Sequence, residues 1–187
     1  MGPILFRAPL LLVLPLALTL SRSQEPGPPT RVAHVDLERY AGLWHEIARI
    51  PNRFQKQCAW GVTAEYALRQ DGRIDVINRC HKEDGKLDEA KGLARVEDKE
   101  TNSLLKVSFF SILGWRPVWG DYWIIGLADD YGSAVVCSPD RKYGWILARS
   151  TELPADVLDG IYAHLREQGF DTELFEATPQ EAPIPGA

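Results

Sequence analysis

The chain has 187 residues, 45% of them hydrophobic and 25% charged, which suits one ordinary globular domain with a sizeable core. Its formal net charge of -5 and its scattered Lys and Arg residues supply no concentrated basic face, so nucleic acid is excluded as a partner. No apolar window of about 18 to 20 residues is available to span a bilayer as a helix.

Residues 1–23 read as a secretory signal peptide. Arg7 supplies the positive start, Leu10 to Leu20 is an apolar run of the right length, and Ser21-Arg22-Ser23 places small residues where a signal peptidase reads. The run is short for an uncleaved anchor, and Pro15 interrupts it. Residues 24–32 form a Pro-rich tether, Gln24-Glu25-Pro26-Gly27-Pro28-Pro29 and onward, with too few apolar groups to fold. The first cysteine is Cys58, so no acylation site stands at the expected cleavage point.

Asp36 is placed to cap a single helical turn through Tyr40, Gly42 lets the chain turn sharply, and Trp44 to Arg49 alternates as a strand. Gly61 to Leu68 and Ile74 to Asn78 alternate on either side of Asp71-Gly72, a two-residue hairpin signal. Strands over Ala90 to Val96, Leu104 to Phe110, Tyr122 to Ala128, Ser133 to Cys137 and Tyr143 to Arg149 follow with no helix between them. The series reaches about eight, the number an up-and-down antiparallel sheet needs to close on itself and remove its edges. One helix then starts at Pro154, carries Val157, Leu158, Ile161, Tyr162 and Leu165 on a single face, and ends at Gly169. A short last strand is predicted over Glu173 to Glu176. The expected fold is therefore all-β: an eight-stranded up-and-down antiparallel barrel over residues 33–177 with one C-terminal α-helix packed outside, followed by a flexible tail over 178–187.

The stretch Gly42-Leu43-Trp44-His45-Glu46-Ile47-Ala48-Arg49, together with Asp129-Asp130-Tyr131 and Arg149 far along the chain, resembles the three signature motifs of the lipocalin family. Val62-Thr63-Ala64-Glu65-Tyr66, Lys106 to Phe110 and Trp145 to Ser150 extend the likeness, which is strongest toward bacterial lipocalins of the outer-membrane lipoprotein type, akin to apolipoprotein D. The resemblance implies that Trp44 lies across the closed end of the barrel, with Arg149 stacked over its face by cation–π attraction. Gly42, Asp130 and Tyr131 join them as barrel-closing residues. Three departures stand out: His45 replaces a common tyrosine, the threonine that usually precedes Asp130-Tyr131 is absent, and so is the lipid-modified cysteine. Without that cysteine the resemblance does not carry the family's membrane anchorage over to this chain.

With Trp44 and Arg149 inward, strand alternation sends Glu46, Ala48, Tyr143, Trp145 and Leu147 inward as well. For the other strands the resemblance implies inward Ala64, Tyr66, Val76, Asn78, Val107, Phe109, Ile124 and Val135. Such a lining is apolar and aromatic with few polar groups, which suits one acyl chain with its headgroup near the mouth. The competing reading is that each residue simply fills a narrow core. Glu46 is the one charged residue expected inside, held either by a buried partner or by the ligand.

The segment from Phe110 to Trp119 is unusually apolar for a loop and is expected at the open end, where Phe54, Trp60, Trp115 and Trp119 form a rim. Four readings compete for it: a lid, a membrane-touching surface, a homodimer contact, or a loop folded over its own side chains. Three cysteines in an exported chain suggest one disulfide and one spare thiol. Cys58 and Cys80 flank one hairpin and are the expected bridge, provided the chain folds back near Gly61. Cys137, taken as inward, is then a buried free thiol.

The four histidines lack metal-ligand spacing, no Gly-rich phosphate loop or nucleophile elbow is present, and no cofactor is expected. The functional reading is a non-enzymatic carrier of a small hydrophobic ligand, a fatty acid or lysophospholipid by resemblance, working in lipid storage or transport. The chain is expected in the periplasm or at the outer membrane, or alternatively secreted. An enzyme acting through Cys137 or Glu46 and a docking protein using residues 110–119 are the other two classes kept open.

Overall fold

Eight antiparallel strands form in chain order and close into a barrel in the computed structural model, which describes residues 27–182. The predicted signal segment lies outside these residues. A single helical turn, α1 (Leu37–Tyr40), leads into β1 (Gly42–Arg49), β2 (Trp60–Leu68), β3 (Ile74–His81), β4 (Leu87–Val96) and β5 (Leu104–Ser108). β6 (Gly120–Leu127), β7 (Ser133–Cys137) and β8 (Gly144–Ala148) complete the wall, and α2 (Ala155–Glu167) and the two-residue β9 (Glu176–Ala177) follow. Each strand pairs with its sequence neighbour, and β1 closes the ring by pairing with both β2 and β8. One end therefore collects α1 and the β2–β3, β4–β5 and β6–β7 turns, and the mouth collects the other four connections.

α1 exists because the Asp36 carboxylate accepts hydrogen bonds from the Glu38 and Arg39 amides, at 3.0 and 3.2 Å. Gly42 then takes a φ of +96°, the left-handed region that a side chain would strain.

Two apolar clusters flank the wall. Inside lie Trp44, Tyr40, Tyr66, Val76, Leu105, Ile124, Val136 and Leu147, and beneath α2 lie Ile125, Val135, Cys137, Ile146, Leu165, Phe170 and Phe175. Three inward expectations are corrected here. Val135 and Cys137 face α2, while Ala134 and Val136 face the interior. Because all five residues of β7 are buried, its sequence shows no polar face to set the phase. Ala48 also faces outward, since a bulge between Glu46 and Ala48 in the pairing with β8 reverses the alternation.

The sheet splits at the mouth. β1 pairs with β2 only from Gly42 to His45; beyond that, its edge is taken by β9, with Ala48 opposite Ala177 and Arg49 opposite Glu176. The Thr178 amide donates to the Ile47 carbonyl at 2.9 Å, and the Gly61 amide to the Pro179 carbonyl at 2.8 Å, so the C-terminal segment is wedged between the two strands. The last strand thus sits later than predicted, because Asp171 caps a 3-10 turn over Thr172–Leu174 instead. Residues 178–180, read from sequence as tail, belong to the wall. At the other terminus residues 27–32, read as tether, are also packed: the Val32 amide donates to the Ile124 carbonyl and Arg31 pairs with Asp98 at 2.9 Å.

The β2–β3 hairpin differs from the expected two-residue turn. Leu68 faces Ile74, so the connection runs over residues 69–73, and Thr63 faces Arg79. A second shift, between Trp60 and Thr63, coincides with Gly61 at φ +61° and folds the chain back, as the pairing of Cys58 with Cys80 requires. The bridge forms, with Cα atoms 5.4 Å apart. It closes a loop with a sequence separation of 22. Replacing both cysteines by serine is expected to lower stability by about 3 kcal/mol, read as a shift of the urea midpoint with unchanged slope.

Candidate ligand-binding barrel

The closed end is built around one guanidinium. Arg149 stands 3.9 Å from the centre of the buried Trp44 ring. Its Nη1 donates to the Leu43 carbonyl at 2.7 Å, and its Nη2 reaches the carbonyls of Arg39, Tyr40 and Ala41 at 2.7, 3.1 and 2.9 Å. These include orphan acceptors at the end of α1, which a planar fork of donors can satisfy together. The Trp44 indole N–H adds a 2.8 Å bond to the Tyr40 carbonyl. A Cβ at Gly42 would lie 3.4 Å from the same guanidinium. Asp130 accepts from the Gly132 amide at 2.8 Å, Tyr131 adopts φ +63°, and its hydroxyl accepts from the Asp36 amide at 2.9 Å. The structure thus gathers all five residues of the expected closing motif at one end.

Above this floor three phenols meet. The Tyr122 hydroxyl lies 2.7 Å from that of Tyr40 and 2.9 Å from that of Tyr66. Burial raises the pKa of all three, that of Tyr66 to about 12, because a phenolate would be stranded away from water. Three hydroxyl protons serve two mutual hydrogen bonds, which leaves one donor over. Sequence reasoning placed only Tyr66 here. Tyr122 was findable, since it shares the phase of Ile124 on β6; Tyr40, at the end of a helical turn, follows no strand alternation.

Toward the mouth the packing loosens. Ala64, Asn78, Val107 and Trp145 are inward and half-buried, Ala90 opposite Asn78 is exposed, and the Phe109 ring lies against Gly92. Among the described residues the buried Asn78 side-chain oxygen has no hydrogen-bond partner. Val76, Ile124 and Leu147 are inward but packed deeper. Tyr143 stacks near Trp145 and touches Phe54 of the β1–β2 loop.

Glu46 is buried and fully engaged. Its carboxylate accepts from Arg49 at 2.6 Å, from Gln55 at 2.6 Å and from the Thr178 hydroxyl at 2.7 Å. Gln55 also accepts from the Trp145 indole N–H at 2.9 Å, so a residue of the β1–β2 loop dips inward and ties the rim to the wall. Nothing in the local sequence marks Gln55 or Thr178 for this role; both arrive through long-range packing.

Trp115 and Trp119 need correction. They lie off the rim, on the outer wall of β4, lining a cleft with Leu93, Arg95 and the hairpin residues Arg69 and Arg73. Arg116 donates to the Ser108 carbonyl at 2.7 Å and holds the loop folded back.

A closed-floor antiparallel barrel with a looser, partly polar upper interior is the architecture that these elements build. The lipocalin-like domain profile matches residues 35–180, and the chain belongs to that family. It is 37% identical over 171 residues to the outer membrane lipoprotein Blc of Escherichia coli (strain K12), covering 89% of this chain and 93% of that one. Apolipoprotein D of Mus musculus is 32% identical over 164 residues, with 83% and 82% covered. Among solved structures, insecticyanin from the tobacco hornworm Manduca sexta superposes with a TM-score of 0.66 at 22% identity, covering 83% of this chain and 88% of that one, which establishes the shared fold.

Two outcomes follow from the floor. Arg149→Ala removes four carbonyl contacts and the ring contact, and is expected to cost about 2 to 4 kcal/mol in urea unfolding. The buried phenols have folded pKa values raised above the ordinary 10. The stability they confer is therefore complete below pH 10 and is lost as pH rises beyond it, because the unfolded chain ionises first. Absorbance titration of the native protein should show these three tyrosines silent until the barrel unfolds.

Proposed function

We propose that the barrel binds and carries one small hydrophobic ligand of the fatty acid or lysophospholipid class in its upper interior. The observation that carries this reading is the contrast along the barrel axis. The lower interior is packed on Trp44, while inward residues higher up are only half-buried and the buried Asn78 oxygen has no partner among the described residues. An acyl chain matches Ala64, Val107 and Phe109, and a polar headgroup matches Asn78 and the Glu46–Gln55–Trp145 group.

A carrier agrees better with these groups than an enzyme does. Cys137 faces α2 rather than the interior, and burial pushes its thiol up to about 12, which suppresses the nucleophilic thiolate. Glu46 is saturated by three donors. The Cys58–Cys80 bridge favours an oxidising compartment, and relatives named as outer membrane lipoproteins favour the bacterial envelope, where we place the protein after export.

Native mass spectrometry of the protein extracted from its own envelope should show the folded chain with a lipid-sized adduct. Ala64→Trp, which fills the upper interior, should weaken uptake of a fluorescent fatty acid by more than roughly tenfold while the fold persists. An empty native barrel, together with unchanged uptake by the variant, would reject the carrier.

A further inference from the structure

A cleft of about 490 Å³ lies outside the barrel, between the outer face of β4, the β2–β3 hairpin and the folded-back β5–β6 loop. Four arginines line it, Arg69, Arg73, Arg95 and Arg116, and among the described residues no Asp or Glu does. Such a concavity is unexpected in a chain of net charge -5. Arg69 pairs with Asp71 and Asp75, Arg73 with Asp71, and Arg95 with Glu97 while lying over the Trp119 ring; none of these three carboxylates is among the lining residues. Among the described residues Arg116 has no carboxylate partner; it donates only to a carbonyl. Each guanidinium carries five N–H donors, so the carboxylate contacts leave several donors free. Convergent arginine forks with spare donors match the oxygens of a phosphate group.

The loop that walls this cleft ends in a hydrophobic tip. Ile112 and Trp115 exchange backbone hydrogen bonds of 2.8 and 2.9 Å across Leu113 and Gly114, whose φ values are +50° and +86°. Positive φ at both central positions defines a tight turn that Asn-Gly would occupy with less strain. Leucine there carries a steric cost, and Leu113 is fully exposed. Phe110, Ile112 and Val118 are exposed beside it, and the Trp115 ring is 67% exposed. Apolar side chains projecting next to a cluster of arginines form an amphipathic surface suited to a charged bilayer.

We infer that this cleft is a second lipid site, on the outer wall, which takes the phosphate of an anionic phospholipid in a bilayer while the Leu113 tip enters the apolar layer. The bound lipid stays in its membrane. Arg116 and Arg73 contact the phosphate oxygens, Trp115 lies at the interface, and the barrel interior is left free. The site is separate from the carrier cavity, so its failure and that of the carrier reading are independent.

Vesicle flotation of the full protein tests it, with vesicles of phosphatidylcholine alone and of phosphatidylcholine mixed with phosphatidylglycerol. Binding is expected to the mixed vesicles, weakening as salt is raised and dropping roughly fivefold for each guanidinium removed in Arg73→Gln and Arg116→Gln. Leu113→Ser should weaken it further. Uptake of a fluorescent fatty acid by each variant reports that the barrel is intact, and Arg69→Gln, remote from the loop backbone, repeats the charge test should Arg116→Gln disturb the loop. Equal binding to both vesicle types, or binding indifferent to the arginines, overturns the phosphate assignment. Loss of bilayer binding to competing glycerol phosphate in solution, with no effect of Leu113→Ser, overturns the bilayer source in favour of a free phosphate ester.

Discussion

The contact between Arg149 and Trp44 is the constraint on which the rest of the barrel depends. One guanidinium joins the end of the last barrel strand to the start of the first and satisfies carbonyls that α1 leaves exposed, so closure of the sheet and capping of its floor are the same event. Without it the Arg39 and Ala41 carbonyls at the end of the short helix would lose their side-chain partner. The surrounding residues serve this clamp: Gly42 clears space for the guanidinium, and Asp36, Tyr131 and Asp130 fix the turns on either side. A sealed floor in turn makes the interior a one-ended container.

The opposite end is assembled from parts distant in sequence. β1 and β2 separate there, and the segment from Glu176 to Gln180 fills the gap with backbone hydrogen bonds to both. Gln180 donates to the Glu46 carbonyl at 2.8 Å, and Thr178 to its carboxylate. A buried carboxylate is costly unless its oxygens are fully engaged, and here Arg49, Gln55 and Thr178 supply that engagement from three separate segments. The mouth is thus held by polar contacts between segments far apart in the chain, whereas the floor combines ring stacking with one guanidinium's hydrogen bonds to backbone carbonyls.

The helix gives the wall a second buried side. Because α2 covers β6, β7 and β8, those strands carry apolar residues on both faces, and only the far wall shows the plain inward-apolar, outward-polar pattern. On that far wall, the outward residues of β4 and the neighbouring hairpin gather the arginines that the folded β5–β6 loop turns into a cleft. Two sides of one cylinder have acquired different roles from what packs against them.

The strand series and the outside helix were legible in the sequence because they rest on local periodicity and turn residues; the closing motif was legible through its resemblance to the lipocalin signature, and the Cys58–Cys80 bridge was expected from the strand ends that the two cysteines flank. Glu46, Trp145 and Leu147 were legible from alternation once Trp44 and Arg149 were set inward, whereas the inward residues of the middle strands came from the lipocalin resemblance. Tertiary structure decided the remainder. Val135, Cys137 and Ala48 reversed their expected direction because helix cover and a bulge erase or shift the alternation. Trp115 and Trp119 left the rim because Arg116 ties their loop back to Ser108. Tyr40, Gln55 and Thr178 entered the interior through contacts between segments far apart in the chain, and such contacts arise from the free energy of the assembled barrel rather than from any pattern in the residues beside them.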